Sequence, residues 1–197
     1  EVGKITTNSA EGYKYYMEAR KQHLNLKYAE AIELYQKAIS IDPGFATAYR
    51  GMAAAYSNLG FRNKGREAIQ KAMELSDRIS ERERLNIQGR FYSYDPKTLD
   101  KAIQTFTRLL EIYPDDSAAN NWLGLIYRNL EEYDTALKFH EADYGIEKNA
   151  LSSGVLARSY KNLGLYQKAR EVYEDYLKNI SDSPDIHRRL AWNYSDE

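Results

Sequence analysis

The sequence predicts an all-α protein built as a right-handed solenoid of antiparallel helix hairpins, and three observations predict it. Alanine recurs in one setting, as Tyr28-Ala-Glu-Ala31-Ile, Asp100-Lys-Ala102-Ile, Tyr133-Asp-Thr-Ala136-Leu and Tyr166-Gln-Lys-Ala169-Arg. Ala102 to Ala136 is 34 residues, Ala136 to Ala169 is 33, and Gly65 stands 34 after Ala31. A period of this length marks stacked helix pairs, each too small to bury its own apolar face. In a second register a small residue precedes a tyrosine by three: Ala53 and Tyr56, Gly89 and Tyr92, Gly124 and Tyr127, Ala157 and Tyr160, Ala191 and Tyr194, with Ala19 and Gln22 in the first unit. Short side chains on facing helices let two backbones approach, so this register belongs to the first helix of each hairpin and the alanine register to the second. Tyrosine is expected to fill the gap between neighbouring hairpins, which assigns much of the 18-residue tyrosine content to the core.

The third observation is the punctuation, taken in chain order. Asn8 with Glu11 and Ser80 with Glu83 have capping-box spacing, and Ser183-Pro184 places a cap before a proline at the first helical position. Gly60 and Gly164 stand where a left-handed residue would end a first helix, and Asp42-Pro43 and Tyr113-Pro114 end second helices. Between Leu75 and Leu85 lies an irregular connection, and Tyr94-Asp-Pro-Lys97 lengthens the following hairpin loop. One solenoid is expected over 9–194, with units at 12–45, 46–79, 82–116, 117–149 and 150–183 and an odd helix at 184–194.

Composition fits a folded, charge-balanced chain. Apolar residues make up 43% and charged residues 29% of 197, and a net charge of -1 gives no global field to attract nucleic acid or an anionic membrane. No apolar run reaches the ~18–20 residues of a membrane span, and Glu1 to Ser9 lacks the basic start and apolar stretch of a signal peptide. Without cysteine there are neither disulfides nor thiolate metal sites, so redox logic does not place the chain in a compartment and the cytoplasm is only the default. Ala191-Trp-Asn-Tyr194 reads like the start of another repeat, as expected of a segment excised from a longer protein.

The pattern resembles the tetratricopeptide repeat, whose hallmarks are a large residue, Leu-Gly, Tyr, Ala, an aromatic and Pro. Trp122-Leu-Gly124-Leu-Ile-Tyr127 with Tyr133 and Ala136 is the clearest first half, and Ala31-Ile-Glu-Leu-Tyr35-Gln-Lys-Ala38-Ile-Ser-Ile-Asp-Pro43 the clearest second half. The resemblance spans about five repeats plus the odd helix, Ser9 to Tyr194. The second unit departs at Gly65 and Asp77, and the fourth at His140 and Asp143, so these two hairpins are expected to pack less tightly. A fainter resemblance, carried by Ile5-Thr-Thr-Asn-Ser9 and Leu75 to Leu85, is to repeat regions attached to bacterial serine/threonine kinases and transcriptional regulators.

The resemblance implies a concave groove lined by the first helices. Its outward positions are Tyr13, Tyr16, Arg20 and His23, then Arg50, Ser57 and Asn58, then Asn86, Arg90 and Tyr94. They continue as Asn121, Leu125, Arg128 and Asn129, then Arg158, Lys161 and Asn162, and end with Arg188 and Trp192. Among acids, Glu83 and Asp185 lie at the edge of this surface, while Glu30, Glu33, Glu171 and Glu174 fall on second helices. Arginine forks take carboxylates bidentately and asparagine amides pair with backbone groups, so the expected guest is an extended acidic or C-terminal peptide. Solvated side chains on exposed helix faces are the plain alternative. The carboxylate clamp of chaperone-tail adaptors, with Lys and Asn, then Asn, then Lys and Arg on successive helices, is not matched.

Catalytic readings find little support. His23, His140 and His187 lie in different repeats without ligand spacing, paired acids such as Glu131-Glu132 and Asp115-Asp116 suit helix starts and turns, and no phosphate-cradling glycine loop occurs. No metal, cofactor or catalytic residue is expected. Two further readings are carried: a solenoid for single-stranded RNA, with Tyr16, Tyr94 and Trp192 as stacking residues, and a regulatory module of a larger signalling protein that self-associates through Leu190 and Trp192 at its C-terminal end. Nucleic acid is disfavoured by the neutral charge and by the lack of a recurrent base-reading pair.

Overall fold

The computed structural model describes residues 7–195, so Ile5 and Thr6 of the segment entering the first repeat lie outside the described residues. The described chain is all helical. In order it forms α1 (Ala10–Leu24), α2 (Tyr28–Ile41), α3 (Ala46–Asn58), α4 (Arg62–Glu74), α5 (Glu81–Tyr92), α6 (Leu99–Ile112), α7 (Ser117–Asn129), α8 (Tyr133–Ile146), α9 (Ala150–Asn162), α10 (Tyr166–Asn179) and α11 (Pro184–Ser195). Single 3-10 turns at Ser76–Arg78 and Pro96–Thr98 occupy the two irregular connections. The fold is an α-solenoid of helix hairpins, and it divides into two compact units. The first comprises the described residues up to His23 with Lys27–Leu109, and the second Leu24–Leu26 with Leu110 onward.

Local chemistry explains the helix ends. Gly60 and Gly164 adopt φ of 82° and 72°, the left-handed turn expected of them, while Leu26 and Glu131 hold the same turn at 66° and 63° without being glycine. Ser80 Oγ accepts from Glu83 N at 3.3 Å, and Ser183 Oγ from Ile186 N at 3.5 Å, as their spacing predicted. At α1 the cap is Ser9, not Asn8, because Ser9 Oγ accepts from Gly12 N at 3.0 Å. Asp116 caps α7, and Asn149 with Ser152 forms a reciprocal capping box on α9.

The seams follow the small-residue registers. Ala19, Ala53 and Ala157 on first helices and Ala31, Ala102, Ala136 and Ala169 on second helices are wholly buried. Where the first helix carries glycine, a large side chain of the second helix occupies the space: a Cβ on Gly89 would lie 2.7 Å from two ring carbons of Phe106, and one on Gly124 would lie 2.8 Å from His140 Cε1. Phe106 is itself fully buried and has nowhere to move. Gly89→Ala is therefore expected to destabilise the first unit by about 1–3 kcal/mol despite alanine's better helix propensity, checked by urea denaturation.

The tyrosines are placed differently from expectation. Tyr56, Tyr92, Tyr127 and Tyr160 are half-buried, and Tyr194 is exposed together with Ala191, because α11 has no second helix against it among the described residues. Three of these rings carry a lysine from the following helix: Lys64 over Tyr56 at 5.7 Å, Lys101 over Tyr92 at 5.9 Å and Lys168 over Tyr160 at 5.6 Å. In the fourth hairpin Phe139 stacks on Tyr127 instead, with ring centroids 5.6 Å apart. The fully enclosed tyrosines are Tyr35, Tyr94, Tyr173 and Tyr176, none of them in that register.

The looser packing expected of the second and fourth hairpins is not found. At Gly65 the Tyr94 hydroxyl occupies the volume a side chain would need. His140 is fully buried with Nδ1 2.6 Å from Ser159 Oγ, and Asp143 is buried with its carboxyl accepting from Ser117 Oγ at 2.5 Å. Polar side chains hydrogen-bonded across a seam fill the volume that apolar ones fill elsewhere.

Candidate functional site

In the first unit the first-helix residues expected to line a groove are largely engaged with the protein itself. Asn86, Arg90 and Tyr94 are buried, at 3%, 6% and 4% exposure, and are withdrawn from any surface a guest could touch. The cause is the Gly65 gap. Tyr94 follows the end of α5, its carbonyl accepts from Arg62 and Arg66 at 3.0 and 2.9 Å, and its ring turns inward against α4. Arg90 then lies over that ring, 4.2 Å from its centroid, and donates to the Tyr94 hydroxyl at 2.9 Å, Ser57 Oγ at 2.6 Å and Ser93 Oγ at 2.9 Å. Burial first, with Arg62 adding to it, lowers the Arg90 guanidinium to about 10, against a weaker upward pull from Tyr94.

The edge acids also differ from expectation, since they neutralise groove cations. Glu83 Oε2 pairs with Arg50 Nε at 3.3 Å, and Asp185 pairs with Arg188 one turn along α11. Asn58 Nδ2 lies 3.2 Å from Nε2 of buried His23, whose pKa is held down at about 4 by desolvation and then by Arg50 and Arg20. Tyr16 packs on Phe45, Tyr35 and Tyr13, with centroids 5.1, 6.0 and 6.1 Å away, which makes it core lining rather than a stacking platform. Of the expected residues in this unit, Tyr13, Arg20 and Asn58 are exposed.

The second unit is arranged otherwise. On its first helices Asn129, Arg158 and Asn162 are exposed, and Asn121, Leu125, Arg128 and Lys161 are half-buried. Arg128 on α7 is lowered in pKa by burial and then by Arg158 on α9, so the two guanidiniums sit within each other's field. Arg128 also lowers His140, after desolvation, to about 4. Behind Arg158 and Lys161 stands Tyr173 of α10, whose hydroxyl is raised by burial and pulled back by Arg189, Arg158 and Lys161. Among the described residues the groups that shift Arg128 and His140 include no carboxylate.

Arg189 and Tyr173 were not legible as site residues. The outward register selects Arg188, yet Arg189 of α11 reaches back across α9, where a Cβ on Gly154 would lie 2.8 Å from its Nη1. Gly154 is the one signal for it: the slot that holds Arg50, Asn86 and Asn121 in other repeats is empty there and admits a long side chain from the next helix. At the end of α11, Trp192 is 60% exposed with Arg188 5.7 Å above its ring, whereas Leu190 packs into the core rather than standing open.

Among the described residues no group of three His, Asp or Glu side chains is placed to hold a metal ion, and no helix is long and apolar enough to cross a membrane.

Stacked hairpins with small residues at each seam and a first-helix face of amides and guanidiniums define a repeat protein of the interaction-scaffold class. The chain belongs to the tetratricopeptide repeat family: three models of that repeat match residues 27–60, 105–138 and 152–182. Among curated proteins it is 27% identical over 169 residues to the CTR9 homolog of Arabidopsis thaliana, covering 80% of this chain, and 25% identical over 169 residues to anaphase-promoting complex subunit 3 of Schizosaccharomyces pombe, covering 85%. The chain spans 15% and 25% of the lengths of those two relatives. A solved tetratricopeptide repeat protein of Thermus thermophilus superposes with a TM-score of 0.68 at 18% identity, over 93% of this chain and 99% of that one, and shares its fold.

Proposed function

We propose that this chain is a non-enzymatic scaffold that seats an extended, acidic segment of a partner protein on the first-helix face of its second unit. The carrying observation is the pair Arg128 and Arg158, two guanidiniums in each other's field with no described carboxylate against Arg128, while Arg50, Arg90 and Arg188 are occupied within the protein. Asn121, Asn129 and Asn162 flank the pair and supply amides that pair with an extended backbone. One relative is by name a subunit of the anaphase-promoting complex, which accords with a protein as partner.

An RNA guest has less to recommend it. Tyr94 and Tyr16 are taken up by the core, which leaves Trp192 as the one open ring of the three expected to stack bases.

Peptide arrays probed at two salt concentrations test the proposal. Acidic peptides should be retained at low salt, and Arg128→Glu with Arg158→Glu should weaken retention by about tenfold or more, whereas Arg50→Glu should have a much smaller effect. Retention unchanged by the double reversal would sink the proposal.

A further inference from the structure

We infer that α11 is a docking face for one helix of a partner protein, a helix that carries lysine immediately before alanine or glycine and a large side chain four residues beyond it. The face concerned is a helix seam and not the groove, so it stands or falls independently of the acidic-peptide reading.

The register tyrosines show what such a seam requires. From the preceding second helix the hydroxyl receives a polar partner: Gln36 Nε2 donates to the Tyr56 hydroxyl at 3.4 Å, and the Tyr160 hydroxyl donates to Glu141 Oε1 at 2.8 Å. From the following second helix a lysine lies over the ring of Tyr56, Tyr92 and Tyr160. In all three this lysine stands directly before the small seam residue, as Lys64-Gly65, Lys101-Ala102 and Lys168-Ala169, and four positions beyond that residue Ile69, Phe106 and Tyr173 are buried. The lysine tracks the tyrosine. Where α1 has Gln22 in that slot, α2 has Glu30 before Ala31, and where Phe139 stacks on Tyr127, α8 has Thr135 before Ala136.

α11 carries the first half of this seam. The Tyr194 hydroxyl donates to Glu174 Oε1 of α10 at 3.0 Å, as Tyr160 does to Glu141, and Arg170 of α10 lies 5.1 Å from the ring centroid. Held in this way, the ring is still 57% exposed. Ala191, the counterpart of wholly buried Ala53 and Ala157, is exposed as well. A short side chain beside a positioned tyrosine is the surface that a following helix covers in the other hairpins, and it is set before anything binds, which lowers the ordering cost of docking. The other seams define the match: alanine or glycine against Ala191, and lysine for the ring of Tyr194. A second copy of this chain has no such helix to offer. Its five Lys-Ala or Lys-Gly pairs, at Lys37, Lys64, Lys71, Lys101 and Lys168, already bury their small residue in its own core.

The test uses a labelled peptide with the sequence of residues 165–180, the helix that fits the Ala157 and Tyr160 seam, titrated against the whole chain by fluorescence polarisation. Isolated helices of this length are marginal in water, so a hydrocarbon staple between positions 167 and 171, both exposed on α10, holds it helical. Saturable binding is expected. Ala191→Leu in the chain, at an exposed position that leaves the melting temperature unchanged, should weaken it about tenfold or more by closing the approach. Lys168→Glu in the peptide should weaken it about two- to fivefold by removing the cation from Tyr194. Retention of acidic peptides on the array should be unaffected by Ala191→Leu. Absence of binding by the stapled peptide, or binding that survives Ala191→Leu, overturns the inference. Sedimentation showing a dimer that Ala191→Leu dissolves would give the face to a second copy and overturn it too.

Discussion

Replacing Asp143 by asparagine raises the melting temperature at about pH 8 by about 5–10 °C, an increase that shrinks away as the pH approaches about 4. Asp143 stands where the repeat usually carries alanine, and burial, reinforced by Glu147 and Asp116, pushes its carboxyl up to about 7 against the help of the Ser117 hydroxyl. In the unfolded chain the same group ionises near the ordinary aspartate value of about 3.9. Between those two values the unfolded state has lost the proton and the folded state still holds it, so stability falls as pH rises, and above about 7 the loss is complete.

Integrated over that window the penalty is about 2–4 kcal/mol, which asparagine removes while keeping a group that can hydrogen-bond to Ser117. His23 and His140 act in the opposite sense. Both are held near 4 by burial, so their contribution is present above the unfolded value of about 6.5 and lost as pH falls below it. The wild-type chain should therefore be most stable at about pH 6–7, whereas Asp143→Asn should stay near its maximum at higher pH. Thermal melts of the two proteins across pH decide the matter, and identical pH profiles would falsify the assignment.

The second large effect runs against the family pattern. Gly65→Ala restores the residue that the repeat prefers at this slot, yet it should destabilise the first unit by about 1–3 kcal/mol, because the added Cβ meets the Tyr94 hydroxyl, Ser57 Oγ at 2.9 Å and the Ala53 carbonyl at 3.1 Å. A gain of about 1 kcal/mol in helix propensity offsets part of that cost. The hydroxyl cannot simply swing aside, since it accepts from Arg90 and is bonded to Ser57 at 2.7 Å.

A double-mutant cycle isolates the clash. Tyr94→Phe alone should cost stability by stripping Arg90 and Ser57 of a partner, and in the Gly65→Ala background it should cost markedly less. Additive effects in urea denaturation would show that Tyr94 does not fill the Gly65 gap.

Both cases bear on what can be read from a repeat sequence. The alanine and small-residue registers located the seams, and prolines, left-handed glycines and serine caps located several helix ends, because these are local requirements of backbone geometry. Where the pattern broke, at Gly65, His140 and Asp143, the sequence read as loosened packing. The structure instead fills each break with a residue that no local rule connects to it: Tyr94 lies 29 positions beyond Gly65, and Ser117 lies 26 before Asp143. The candidate site follows the same division. The outward register selected Arg128, Arg158 and Lys161, but it also selected Asn86, Arg90 and Tyr94, which have the same spacing and are buried.

Periodicity and capping are properties of short stretches of chain, so the repeat, its length, the all-helical class and the helix of every candidate side chain but Tyr94 were set by the sequence alone. Which cations are paired inside the protein was settled by the tertiary structure alone. Whether a guanidinium is neutralised depends on what another helix brings beside it, as Glu83 is brought to Arg50 across 33 positions and Arg158 to Arg128 across 30, the first quenching a charge and the second concentrating it.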